Sequence, residues 1–286
     1  MGIVVLGGTG NLGALVADEL RRRGETVRAC GRRDGDARDP AVVAKLAAGA
    51  SAIVNCAGAS VALALGKGWR GYRAVDTPIG KAAIAAARAT GVRLVYVAVA
   101  HAPELASCAY IDAHEQVAAA MRDLDGVVVR PTGLFSAYAS LLPLARRGWL
   151  VDLGTGHTRT NPIDDGELAG IVADAVRGDG PREITCGGPD VMTRREIFEL
   201  VARSAGQKRV RGFPVWLARI NAAMLRLVHP RIGQFMQFAC GLAEHGVIAP
   251  VLGTKRFADH LDSVANVARR QQPDDSEHQA RAAQGD

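Results

Sequence analysis

The sequence predicts an α/β protein: a doubly wound parallel sheet followed by a smaller, mainly helical C-terminal lobe. Three observations carry this expectation. The chain opens on an apolar, β-branched run that breaks into a glycine-rich turn and then a helical pattern. Strand-like and helical stretches then alternate as far as residue 187, the pattern of parallel βαβ units. Beyond residue 187 the strand signal fades and helical patterns dominate.

Each element has its own signal. "GIVVL" at the start reads as a buried strand, and Leu12, Leu15, Val16 and Leu20 fall at helical spacing before Gly24 ends that helix. Further strands are expected at 26–30, 52–58, 92–100, 126–131 and 182–186, with helices at about 40–48, 77–90, 110–124 and 166–177. Asp164 and Asp165 precede the last of these helices and suit it as caps rather than as a catalytic pair. Thr193 opens "TRREIFELVARSAG" as an N-cap, and Pro214 opens "PVWLARINAAMLRLV". The expected division is a nucleotide-binding domain over 1–187, a helical substrate or lid lobe over 188–268, and a polar tail over 269–286 with too little to bury for a fixed structure.

The turn "GGTGNLG" meets two glycine spacings at once, through Gly8, Gly10 and Gly13 and through Gly7, Gly10 and Gly13. Glycine permits positive φ, lets backbone approach a diphosphate, and lets helix and strand pack closely. The helix that follows offers unpaired N–H groups and a partial positive charge. Strand before, helix after and βα units beyond are the setting that a Rossmann dinucleotide site requires. The second strand ends in "CGRRDG", so Arg32 and Arg33 stand where an NAD site usually places a carboxylate for the ribose. Two guanidinium groups suit a 2′-phosphate, so NADP is the expected nucleotide, with NAD possible because Asp34 and Asp36 lie close by.

Composition excludes several classes. With 48% apolar and 22% charged residues over 286 positions, the chain has the make-up of a globular protein able to bury a sizeable core. Five scattered cysteines, without paired spacing, point to buried thiols in a reducing cytoplasm and to no metal. The run "IVVL" is too short for a membrane span and lacks the basic start of a signal peptide. The net charge of +6 gathers in 200–243, which holds no acidic residue but carries Arg203, Lys208, Arg209, Arg211, Arg219, Arg226 and Arg231. Nucleic acid is not expected, because base-reading aromatic motifs are missing. No G-x-S-x-G, H-E-x-x-H or Walker pattern occurs, which removes hydrolase and kinase readings.

Taken in order, "VVLGGTGNLG", "GRR", Asp39 ahead of the next helix, "VNCAG", "VYVAVA", "YIDAHEQV", "VVRPTGLF" and "TNPIDDGELA" resemble the short-chain dehydrogenase/reductase superfamily, in particular its atypical extended, NmrA-like and isoflavone-reductase-like members. The resemblance runs from residue 1 to about 262. It implies that Gly7, Gly8, Thr9, Gly10, Asn11, Leu12, Gly13, Arg32, Arg33, Asp39, Cys56, Ala57 and Gly58 line the nucleotide, with Pro131 beside the nicotinamide.

Carbonyl-reducing members of that superfamily use a serine and Tyr-x-x-x-Lys. Here Tyr110 matches the tyrosine, His114 stands in place of the lysine, and Ala98 in place of the serine. A neutral, shorter histidine lowers a tyrosine pKa less than lysine does. Two functions from different classes therefore stay open: an NADP-dependent oxidoreductase for a small hydrophobic carbonyl or quinone-like substrate, using Tyr110 and His114 in altered roles, and a non-catalytic redox sensor or assembly factor. His101 is a further polar residue near the expected cleft, equally readable as a loop histidine.

In the lobe, Trp216, Leu217, Ile220, Met224, Leu227 and Val228 share one helical face, with Arg219 and Arg226 to its side. Packing of that face against the sheet is expected ahead of a lid or a peripheral membrane contact. Phe213, Phe235 and Phe238 add to an apolar cover suited to a hydrophobic substrate.

Overall fold

A computed structural model describes residues 2–59, 68–178 and 180–271, with side chains as far as 265. In chain order the elements are β1 (Gly2–Leu6), α1 (Asn11–Arg22), β2 (Val27–Cys30), α2 (Pro40–Ala47), β3 (Ala50–Asn55), α3 (Asp76–Thr90), β4 (Arg93–Val97), α4 (Ala109–Ala120) and β5 (Gly126–Pro131). There follow α5 (Phe135–Ala139), α6 (Leu142–Arg146), β6 (Val151–Leu153), β7 (Arg159–Thr160), α7 (Asp165–Arg177), β8 (Glu183–Cys186), β9 (Met192–Thr193), α8 (Arg194–Ser204), β10 (Arg211–Phe213), α9 (Val215–Val228), α10 (Pro230–Glu244) and α11 (Phe257–Gln271).

Six strands form one parallel sheet in the order β2-β1-β3-β4-β5-β8. The strands are apolar at successive positions because both faces are covered. Alternate side chains feed two cores: Val4, Leu6, Ile53 and Tyr96 pack under α2, α3 and α4. Ile3, Val5, Val54, Val95 and Val127 pack under α1 and α7. The order reverses between β1 and β3, which opens a crevice at the strand C-termini where such sheets bind ligands. α3 and α4 approach closely because Gly80 faces Val117, where an added Cβ would lie 2.2 Å from a Val117 methyl.

The caps follow the expected chemistry. Asp164 accepts the N–H groups of Gly166 and Glu167, both at 3.1 Å, while Asp165 takes the N–H and hydroxyl of Ser136. Thr193 and Glu196 form a reciprocal capping box on α8.

The second lobe draws on residues before 187 as well as after. Phe135, Leu142 and Leu150 pack with Ile197, Phe198, Val201, Phe257 and Leu261. β6 pairs with β10, and buried Asp152 on β6 meets Arg194 at 3.0 Å and Arg195 at 3.3 Å. The helix α11 continues to Gln271, and the rest of the tail expected over 269–286 lies outside the described residues.

One expectation is reversed. The large apolar face of α9 does not pack on the sheet: Ala218 and Ala222 are its buried residues, while Trp216, Ile220, Met224, Leu227 and Val228 are exposed. Small residues let α9 lie close against α10, where an added Cβ on Gly233 would lie 2.4 Å from the backbone nitrogen of Arg226. Close backbone packing of this hairpin leaves the long side chains on the outside. Among the described residues, no helix is long and apolar enough to cross a membrane.

Candidate nucleotide and active site

The turn after β1 is held by its own backbone. Gly8 N–H donates to Cys30 O at 2.9 Å and Gly10 N–H to Gly7 O at 2.9 Å. Gly7 has φ +76°, and a Cβ there would lie 2.8 Å from the Ala57 backbone. At Gly13 a Cβ would lie 2.2 Å from Gly7 O, and at Gly8 2.8 Å from Ala29. Gly10 is different: it is exposed, at φ −85°, with only Gly7 O at 3.2 Å from a hypothetical Cβ. The structure thus leaves the space above Gly10 open rather than filling it with protein. Gly10 also caps α1 without a side-chain bond, and the first turn of α1 has no acid, so its N–H groups face the crevice uncompensated. These features fit a nucleotide diphosphate. Thr9 packs on Gly31 and Leu12 against the second core, while Asn11 is exposed on the first turn.

Arg32 and Arg33 are exposed in the short turn after β2. The carboxylates that weakened the NADP argument are engaged elsewhere: Asp34 accepts Gly31 N–H at 2.7 Å, and Asp36 takes Arg38. Asp39 caps α2, accepting Ala41 N–H at 2.9 Å. On the far side, Cys56 N–H donates to Leu6 O and Ala57 N–H to the buried Asn55 side chain, so Cys56, Ala57 and Gly58 form the wall facing Gly7. Burial pushes the Cys56 thiol up to about 12, which makes it a wall and not a nucleophile. Pro131 ends β5, buried, with its carbonyl accepting Ala100 N–H.

Tyr110 and His114 come together as their spacing on one helix face implies, in edge-to-face contact with ring centroids 4.8 Å apart. Around them stand Tyr72 at 4.9 Å and Phe238 at 4.8 Å from Tyr110. Phe238 belongs to α10, and Gln234 of that helix accepts Tyr72 N–H at 3.0 Å, so α10 rather than α9 roofs this corner. Trp216 and Met224 take no part in that cover.

The electrostatics differ from a tyrosine–lysine pair. His114 Nδ1 lies 2.6 Å from the Tyr96 hydroxyl, and burial lowers its pKa to about 4, so it is a neutral ring bonded within the protein. Burial, and then the charge of Asp76, hold the Tyr110 phenol well above its usual range. Tyr110 is therefore protonated in its resting form and is not a phenolate base. Ala98 is buried and brings no hydroxyl. His101 turns away to Glu115 at 3.2 Å, a carboxylate that also pairs with Arg130.

One residue escaped the sequence reading. Asp76, at the start of α3, is 3% exposed. Its Oδ1 accepts the N–H of Ala59, next to Gly58, at 2.5 Å, while Oδ2 has no partner among the described residues. Burial raises its pKa to about 7, against the opposing effects of the Ala59 N–H and the Arg231 charge. The neighbouring Thr77 hydroxyl is likewise buried without a partner. An acid at the first turn of a helix reads as an ordinary response to the helix dipole, so only its burial marks it out. Among the described residues no three His, Cys, Asp or Glu side chains gather as a metal site would need.

Residues 3–106 match the model of the NAD dependent epimerase/dehydratase family. The chain has a Rossmann-type fold, shared with solved structures of low sequence identity. It superposes on the NADPH-dependent quinone oxidoreductase of Escherichia coli, solved with NADPH, with a TM-score of 0.65 and 17% identity, over 92% of this chain and 99% of that one. A dTDP-4-dehydrorhamnose reductase from Bacillus anthracis, solved with NADP, gives 0.61 at 14% identity over 82% and 96% of the two chains. A Bordetella bronchiseptica enzyme solved with NAD+ gives 0.60 at 18% identity over 75% and 86%. No curated protein matches the chain by sequence. The likeness to the Escherichia coli protein spans both lobes of the fold, whereas the family model stops near the turn before α4.

Proposed function

We propose that the chain is an NADP-dependent oxidoreductase of the atypical short-chain type, acting on a small hydrophobic carbonyl or quinone-like compound. The observation that carries this reading is the Gly7–Gly13 turn: close contacts at Gly7, Gly8 and Gly13 hold it, yet it stays open at Gly10 onto an uncapped helix N-terminus. Arg32 and Arg33 favour the 2′-phosphate of NADP, and neighbours solved with NADP, NADPH and NAD+ are consistent with NADP, with NAD as a second nucleotide. When bound, the nucleotide supplies the hydride. In this reading the chain holds the substrate under Phe238 and furnishes the proton, and the protonated Tyr110 phenol and the Asp76 carboxyl, raised to about 7 by burial, support it as the donors to test. The Escherichia coli neighbour's quinone chemistry supports the substrate class. Five free cysteines, four of them buried, suit a reducing cytoplasm as its compartment.

A second reading, a nucleotide-binding sensor or assembly factor without turnover, is favoured by Ala98 and by the engagement of His114 with Tyr96. Titration with NADPH and NADH, followed by a carbonyl and quinone screen, separates the two. Under the enzyme reading, Tyr110→Phe lowers turnover by about a hundredfold or more with nucleotide affinity unchanged. Tight NADPH binding without turnover on any substrate supports the sensor, and no binding of either nucleotide removes both readings. Replacing Arg32 and Arg33 together by alanine should weaken NADPH by about tenfold or more while leaving NADH nearly unchanged. An equal loss for both nucleotides would assign the arginines to something other than the 2′-phosphate.

A further inference from the structure

We propose that the outward face of α9 docks on an anionic membrane surface. The proposal is independent of the nucleotide site. Trp216, Ile220, Met224, Leu227 and Val228 lie on one stripe of the helix, with Trp216 65%, Met224 62%, Leu227 86% and Val228 68% exposed. Isolated exposed apolar residues are ordinary, but a continuous row over three turns is not. The inner face already has its partner, because Ala218 and Ala222 are buried and the α9 backbone lies against Gly233 of α10. The stripe is therefore not the spare edge of a core helix.

Charge identifies the occupant. No acidic residue occurs in 200–243, and Lys208, Arg209, Arg211 and Arg226 are all exposed beside or on α9. Arg219 is partly neutralised by Glu244 at 2.5 Å, so the other four carry the field. β10 leads directly into α9 and pairs with β6, where Val151 is exposed and is closely preceded by the exposed Trp149. A third exposed tryptophan, Trp69, lies tilted against His229 at the far end of α9, with centroids 5.0 Å apart. An apolar helix face flanked by cations and bounded by tryptophans is the composition of helices that lie in the headgroup boundary of anionic bilayers. A second copy of the chain fits less well, because a two-fold contact on this stripe brings the same arginines together.

The test is flotation of the full chain with vesicles of phosphatidylcholine alone and of phosphatidylcholine with phosphatidylserine. Binding is expected to the anionic vesicles, weakening with salt and accompanied by a blue shift of tryptophan emission. Ile220→Glu and Leu227→Glu should abolish it, and Arg211→Gln or Arg226→Gln should lower it by about fivefold each. All four side chains are solvent-exposed, so melting temperature and NADPH affinity should stay at parental values in each variant. No binding to anionic vesicles overturns the proposal, as does binding that survives Leu227→Glu in a folded variant. A concentration-dependent dimer, dissolved by Leu227→Glu and seen without vesicle binding, would assign the stripe to a second copy instead.

Discussion

Gly13→Ala is expected to abolish nucleotide binding and lower the melting temperature together, whereas Gly10→Ala should abolish binding alone. At Gly13 the added methyl would lie 2.2 Å from Gly7 O and 2.7 Å from Gly7 C, both backbone atoms fixed by the turn, so the turn must open. At Gly10 the φ of −85° suits alanine, and the nearest atom is 3.2 Å away, so the fold needs only a small adjustment. The methyl there instead fills the open space above the turn, where the proposed diphosphate would lie. Calorimetric titration with NADPH should show a loss of at least about tenfold, or 1.4 kcal/mol, for both variants. Thermal melts should separate them. If Gly10→Ala binds NADPH as tightly as the parent, the diphosphate does not lie over this turn.

Asp76→Asn should stabilise the protein, by clearly more above neutral pH than at pH 5. The unfolded chain releases the Asp76 proton near the ordinary 3.8, while burial keeps it on the folded protein to about 7. Between those values the folded state binds the extra proton, so stability falls as pH rises through this window, and the cost is complete above about 7. The separation of about three pH units, at roughly 1.4 kcal/mol each, sets an upper bound of about 4 kcal/mol. The facing groups are Arg231, which favours the anion, and Tyr72, Tyr96 and Tyr110, whose phenols burial, and after it the same charge, hold in the protonated form. Urea unfolding of parent and variant at pH 5 and pH 8 measures the difference; equal gains at both would show that Asp76 does not titrate in this window. If Asp76 also supplies the proton for turnover, the alkaline limb of the parent's pH profile near 7 should be lost in the variant.

Much of the parallel-sheet half was legible because its signals are local. Alternating apolar strands and helices, the glycine spacing, the Asp164 cap and the Thr193 capping box each depend on neighbours within a few residues. The arginine argument was legible in kind, yet the sequence left Asp34 and Asp36 as competitors. Their engagement by Gly31 N–H and by Arg38 depends on how the turn after β2 folds back on itself. Tyr110 and His114 could be paired from helix periodicity, but the protonation of each could not. His114 is neutral because the fold buries it, and its Nδ1 meets the hydroxyl of Tyr96, 18 residues away on β4.

The sequence by itself determined the parallel α/β sheet, the glycine turn, the basic character of the second-strand end and the amphipathic character of α9. These are properties of spacing and residue type, which act over one or two turns of chain. Only the tertiary structure decided that Asp76 loses its water, that α10 covers Tyr110, and that α9 turns its apolar stripe outward. A helical pattern shows which residues share a face; which way that face points depends on the closest packing available, and here two alanines and Gly233 gave the small-residue face the inner position.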